Sequence, residues 1–162
     1  KSCVFGFEKS KYDNILVMDG DLQHKPNDIL ELLKVFKQKN ADFVIGSRNL
    51  FQRKKHNLGF FRLSASRVLI LIVNLLLGNK TSDPMSGFFI FKKKIYKKDN
   101  KRLFNKGYKV LMDLLYLNDE KKRIFDVKIN FDTRKKGKSK MNLKILLLLL
   151  YMILFKFYAK FS

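Results

Sequence analysis

The chain of 162 residues has one cysteine, no tryptophan, two prolines, two histidines and only 14 acidic residues against 35 basic ones. A lone Cys3 excludes an intramolecular disulfide framework, and with two histidines it leaves no Cys/His set for zinc. A reducing, cytoplasmic setting is compatible with that. Sixteen phenylalanines without a tryptophan, several in Phe-Phe pairs, suit core and membrane-interface packing better than base-stacking platforms. The shortage of acids leaves a formal charge of +21, which favours anionic partners: nucleic acid, phosphorylated ligands or an acidic membrane face. The basic runs at residues 53–55, 92–94 and 134–136 carry no zinc-finger spacing and no RNA-binding signature. Uncharged apolar runs are also short. The longest, residues 145–155, has eleven residues, whereas a bilayer span needs about 20.

What is present is organised around residues 15–24, where Ile15-Leu16-Val17-Met18 runs into Asp19-Gly20-Asp21-Leu22-Gln23-His24. The apolar run predicts a buried strand, and the acids follow its carboxyl end, where open α/β sheets place ligands. Asp19 and Asp21 fall on one side if strand geometry continues, so their oxygens can share one hard divalent cation. Two acids at such a junction are more often turn residues. Pro26 opens a helix with Asn27 as its cap, and residues 41–48 predict a second buried strand ending in Gly46-Ser47-Arg48. Strand, helix and strand within about thirty-five residues is the spacing of a βαβ unit, which predicts parallel strands with the acidic loop and Arg48 on one edge.

Residues 49–61 predict a basic loop, and residues from about 60 to 77 an apolar helix, either core or lying in a membrane surface with Arg62 and Arg67 near the headgroups. In Asp83-Pro84-Met85-Ser86-Gly87-Phe88-Phe89, Pro84 and Gly87 impose a tight turn. Asp83 and Ser86 either face the crevice or bond the turn's own amides. Residues 108–117 predict a short helix with Val110, Leu111, Leu114 and Leu115 on one side and Asp113 available on another, and residues 124–131 alternate as a half-buried strand. Arg134, Lys138, Ser139 and Lys140 around Gly137 form a concentrated anion site. The apolar tail that follows fits an interfacial or re-entrant anchor, and it crosses a bilayer only if Lys144 and Lys156 snorkel or more sequence follows.

Four stretches in this order, Asp-Gly-Asp-Leu-Gln-His (19–24), Gly-Ser-Arg (46–48), Asp-Pro-Met-Ser-Gly-Phe-Phe (83–89) and Arg-x-x-Gly-x-Ser-Lys (134–140), resemble the dolichol-phosphate (polyprenol-phosphate) mannosyltransferases. These are inverting family-2 glycosyltransferases. The resemblance implies an α/β GT-A (Rossmann-like) fold with a mostly parallel sheet. It divides the chain into a partial domain at residues 1–142 and, at 143–162, an apolar membrane-associated helix or the start of a transmembrane segment. It implies that Asp19, Asp21 and Gln23 hold a divalent ion (Mg²⁺ or Mn²⁺) and through it the donor diphosphate, with Lys140 also on the donor side. Arg48, Arg62 and Arg134, with Ser139, would receive the lipid phosphate, and Asp83, Ser86 and Gly87 belong to the accompanying motif. The implied reaction moves mannose from GDP-mannose to a polyprenyl phosphate at the cytoplasmic membrane face, with no nucleic acid involved. Two departures stand out. Gly20 replaces the family's usual Ala, and the family's N-terminal Pro-Thr-Tyr-Asn-Glu-like strand has no counterpart, which marks the chain as lacking its start.

Three other readings are open on the residues alone: a transferase for UDP-glucose or another nucleotide sugar, a basic nucleic-acid-binding module, and a non-catalytic membrane-surface protein.

Overall fold

A computed structural model describes residues 2–21, 23–48, 60–104, 109–117, 120–129 and 143–161. The elements are α1 (Ser2–Lys9), β1 (Asn14–Val17), α2 (Pro26–Gln38), β2 (Phe43–Arg48), α3 (Phe60–Leu77), β3 (Phe89–Lys92), α4 (Lys93–Asp99), a 3₁₀ turn (Asn100–Arg102), α5 (Val110–Leu115), β4 (Ile124–Ile129) and α6 (Leu143–Phe161).

One four-stranded sheet has the order β1-β3-β2-β4. β3 runs antiparallel to both β1 and β2, while β4 is parallel to β2. The expected mostly parallel sheet is therefore corrected to a mixed one. The expected common direction of β1 and β2 survives, because both oppose β3, but the two are not neighbours. Hydrophobic periodicity identifies a strand and says nothing about which strand inserts beside it. Here the chain returns through the 83–87 turn and places β3 between them.

Alternate residues of the central strands face two different cores. Phe43, Ile45, Phe89 and Phe91 point to the side covered by α1, α3, α4, α5 and α6. Val44, Phe88 and Ile90 point to the side covered by Leu32 and Phe36 of α2. Burial on both faces explains why β2 and β3 read as continuous apolar runs rather than alternating ones. Each fully buried phenylalanine contributes about 1.5–3 kcal/mol of transfer free energy. The edge strand β4 alternates as expected, with Asp126 and Lys128 exposed.

Specific contacts set the helix ends. α1 stops at Lys9, where the buried Lys93 ammonium donates to the carbonyls of Glu8 and Ser10 at 3.3 and 2.6 Å. The residue at the N-cap of α2 is Lys25 instead of Asn27, and Asp28 accepts the Lys25 N–H at 3.4 Å. α3 ends at Leu77, as expected, and Gly78 follows it with a φ of +90° that suits a residue without Cβ. Tyr116 then donates its hydroxyl to the Gly78 carbonyl at 2.7 Å, and burial pushes its pKa up to about 12.

The tail is a single helix, α6, of 19 residues. No helix among the described residues is long and apolar enough to cross a membrane. Lys156 does not snorkel. It is buried, pairs with Asp113 of α5 at 2.6 Å and donates to the Arg102 carbonyl at 3.1 Å. Asp113, expected on a side apart from the apolar one, also accepts the Phe104 N–H at 3.0 Å. Leu149, Met152 and Ile153 of α6 join the main core.

Candidate functional site

β1, β2 and β4 all end at one edge of the sheet. The β1 partner of Phe89 is Val17, and the β2 partner is Ile45, so the turn leading into β3 lies at that edge too. The edge expected from the βαβ spacing thus exists, and it gathers more than that spacing implied.

Asp19 and Asp21 follow β1 directly. The Gln23 N–H donates to Asp21 Oδ1 at 3.3 Å, a local turn bond, and Gln23 itself is buried. The Asp19 carboxylate is exposed to solvent on one side and lies against Gly87 on the other. A Cβ at Gly87 would stand 2.5 Å from Asp19 Cγ and 2.8 Å from Oδ1. Glycine is needed there because a carboxylate occupies the side-chain space. His24 is buried, its ring 4.6 Å from that of Phe88, and burial lowers its pKa against the opposing fields of Asp19, Asp21 and Asp28. It packs against the Phe88 ring.

Arg48 ends β2. Its Nε and one terminal nitrogen donate to the two oxygens of Asp83 at 2.6 and 2.9 Å, and its main-chain N–H reaches Asp83 Oδ2 at 3.3 Å. Asp83 has no exposed side-chain surface. Desolvation works against the Arg48 charge, but the Asp83 bonds and the fields of Asp83 and Asp19 outweigh it and raise its pKa. Of the two roles considered for Asp83, the structure shows a third: it holds the arginine. Ser86 serves the turn, donating to the Gly46 carbonyl at 2.7 Å and accepting the Phe88 N–H at 3.1 Å. Upstream, the Thr81 and Ser82 hydroxyls donate to Asp126 of β4 at 2.5 and 2.6 Å, anchoring the loop that carries Asp83.

Lys109 was passed over in the sequence, where nothing separates it from the other basic residues. Its ammonium donates to the Met85 carbonyl at 2.9 Å and is held within electrostatic reach of Arg48, Asp83 and Asp19. Asp19, Asp21, Gln23, Arg48, Asp83, Ser86 and Gly87 thus come together. Arg134, Ser139 and Lys140, with the 49–59 loop, lie outside the described residues. Arg62 lies in the first turns of α3, its side chain outside them as well.

Residues 1–99 match the family model described as Glycosyl transferase family 2. The chain belongs to that family. The family-2 chain is 32% identical over 140 residues to the dolichol-phosphate mannosyltransferase of Pyrococcus furiosus, covering 85% of this chain and 39% of that protein. It is 31% identical over 145 residues to the undecaprenyl-phosphate mannosyltransferase of Micrococcus luteus, covering 85% and 56%. With the dolichol-phosphate mannosyltransferase of Saccharomyces cerevisiae it shares 30% over 149 residues, covering 88% and 54%. The chain therefore spans roughly half the length of these curated relatives, or less. Among solved structures, glucosyl-3-phosphoglycerate synthase from Mycobacterium tuberculosis superposes with a TM-score of 0.65 at 14% identity, over 98% of this chain and 53% of that one. A second structure of that enzyme, in complex with Mn²⁺, UDP-glucose and phosphoglyceric acid, also gives a TM-score of 0.65. These neighbours establish a GT-A-like α/β fold with a mixed sheet.

Among the described residues no group of three or more His, Cys, Asp or Glu gathers around one point. The family-2 chain does offer two carboxylates at the strand end, one of them cradled on a glycine and making no ion pair among the described residues. Oxygen donors of this kind suit a hard divalent cation.

Proposed function

We propose that this chain is the part of a glycosyltransferase that moves mannose from GDP-mannose to a polyprenyl, dolichyl-type phosphate with inversion, at the cytoplasmic face of a membrane. The observation that carries the reading is the pairing, at one sheet edge, of an acidic loop with an arginine held by the buried Asp83. The two halves suit a nucleoside diphosphate donor and an anionic acceptor.

Asp19 and Asp21, with the Gln23 amide, would hold Mg²⁺ or Mn²⁺, which supplies charge neutralisation for the departing diphosphate. An acceptor phosphate is already anionic, so no strong general base is required. An acceptor oxygen attacks the anomeric carbon from the face opposite the diphosphate, whose bond to that carbon breaks as the new one forms. The chain's own contribution is positioning and preorganised charge. Asp83 fixes the Arg48 guanidinium before any ligand arrives. Arg134, Ser139 and Arg62 complete the lipid-phosphate site, and Lys140 contacts the donor. Membrane contact is supported by outward apolar side chains on two helices: Leu71 and Leu75 on α3, and Leu147, Tyr151, Leu154 and Tyr158 on α6.

The test is transfer. The full-length protein is incubated with polyprenyl phosphate vesicles, Mn²⁺ or Mg²⁺, and either GDP-mannose or UDP-glucose. Mannosyl lipid is expected, dependent on the cation and on Asp19 and Asp21. Glucose transfer alone would overturn the donor assignment. No transfer of either sugar, with vesicle binding intact, would overturn the catalytic reading.

A further inference from the structure

We propose that Lys109 is a phosphate-binding residue of this crevice, gripping a phosphoryl oxygen of the donor diphosphate or of the acceptor phosphate. The inference rests on the glycosyl-transfer reading and adds to it a residue that none of the four sequence motifs contains.

Lys109 directly precedes α5 and reaches across to the turn that builds the site. Its ammonium makes one hydrogen bond among the described residues, to the Met85 carbonyl at 2.9 Å. Met85 stands between Asp83, which holds Arg48, and Gly87, on which Asp19 lies. A lysine ammonium has three donors, so two are uncommitted among the described residues. Mostly buried and bonded to one neutral carbonyl, this charge is costly to desolvate. Neither nearby acid neutralises it by contact. Asp83 spends both oxygens on Arg48, and Asp19 forms no ion pair among the described residues. Desolvation accordingly lowers the Lys109 pKa, with Arg48 adding to the effect and Asp83 and Asp19 opposing it.

Charge balance gives the sign of the missing partner. Asp19, Asp21 and Asp83 carry three negative charges, and Arg48 and Lys109 carry two positive ones. Without a divalent cation the crevice has a slight excess of negative charge. With one bound to the acids, the excess becomes positive, and the pocket then favours an anion with several oxygens. A phosphoryl group meets that description, and Lys is a common point-charge ligand for it. Unlike Arg48, which is already fixed by a planar two-bond pair, Lys109 sits on a flexible stem and can follow the ligand.

Binding distinguishes the alternatives. Wild type, Lys109→Met and Lys109→Arg are titrated with Mn²⁺ alone, with GDP in the presence of Mn²⁺, and with a short-chain isoprenyl phosphate. For Lys109→Met, Mn²⁺ binding should be unchanged. Affinity for one phosphate ligand should fall about tenfold to a hundredfold, the range for one hydrogen bond to a charged group. Lys109→Arg should recover part of the loss. A loss confined to GDP places Lys109 on the donor side, and a loss confined to the isoprenyl phosphate places it on the acceptor side. Equal affinities for wild type and Lys109→Met would refute the proposal, whereas a wild type that binds neither phosphate would refute the glycosyl-transfer reading itself. A measurement on wild type needs no variant to fold. Lysine acylation followed by mass spectrometry should show Lys109 protected by the phosphate ligand, and an unchanged rate at saturation would overturn the proposal.

Discussion

Replacing Gly87 by Ala should disable the acidic loop while leaving the fold intact. The new methyl group would stand 2.5 Å from Asp19 Cγ. Ordinary contact between carbon atoms needs about 3.5–4.0 Å, so the carboxylate must retreat by about 1 Å or more. It can do so cheaply, since Asp19 is exposed and its side chain can rotate. Gly87 has no positive φ, so alanine adds no backbone strain there and restricts the unfolded chain. The net stability change should therefore be between neutral and about +1 kcal/mol. Function is another matter, because a misplacement of about 1 Å in a catalytic group can cost roughly 10²-fold. Two measurements apply: Mn²⁺ affinity by electron paramagnetic resonance, and mannosyl transfer by the full-length protein. Gly87→Ala should weaken both, with urea unfolding unchanged or slightly improved. The double variant Asp19→Ala/Gly87→Ala should be no worse than Asp19→Ala alone, because the methyl then has no carboxylate to displace. The reasoning is refuted if Gly87→Ala retains wild-type Mn²⁺ affinity, or if the two substitutions prove additive.

Asp83→Ala leaves the Arg48 guanidinium without its two-bond partner, and urea unfolding should show a loss of about 3–5 kcal/mol, the cost of breaking one side of a buried pair. Lys156→Met strands the buried Asp113 and should cost a similar amount, about 3–5 kcal/mol, whereas Lys156→Met/Asp113→Leu should recover most of it because both charges leave the interior together. A double variant as unstable as the single one would show that packing, not charge, is responsible. Asp42 is penalised by desolvation, yet the Arg123 N–H and the Lys92 ammonium hold its pKa below the ordinary 3.8. The stability it adds is fully present above that value and is lost as pH falls through the lower folded-state pKa. Asp42→Asn should thus be destabilised at pH 7, with the gap to wild type closing in acid, and a pH-independent gap in urea midpoints would contradict this.

Part of the molecule was legible in residue order. The apolar run ending in Asp19 and Asp21, and the second run ending in Arg48, each announce a strand whose carboxyl end carries chemistry. Strand and helix periodicities are local, so the extents of β1, β2, α2 and α3 could be read with small errors at their ends. The ordered motifs pointed to the family, which the family match to residues 1–99 bears out. The strand order was not legible. That β3 lies antiparallel between β1 and β2 depends on which long-range pairing buries the most apolar surface, and no local pattern encodes it. Nor could the sequence show what each charged residue does. Lys109 and Lys156 look alike among 35 basic residues. Only the tertiary structure sets one beside the Asp83 turn and buries the other against Asp113, because the field around an ionisable group comes from neighbours distant in the chain. Asp83 as the holder of Arg48, and Gly87 as the seat of Asp19, are contacts of the same kind. The sequence by itself determined the local elements and the chemistry available, while the three-dimensional fold decided which of those groups meet.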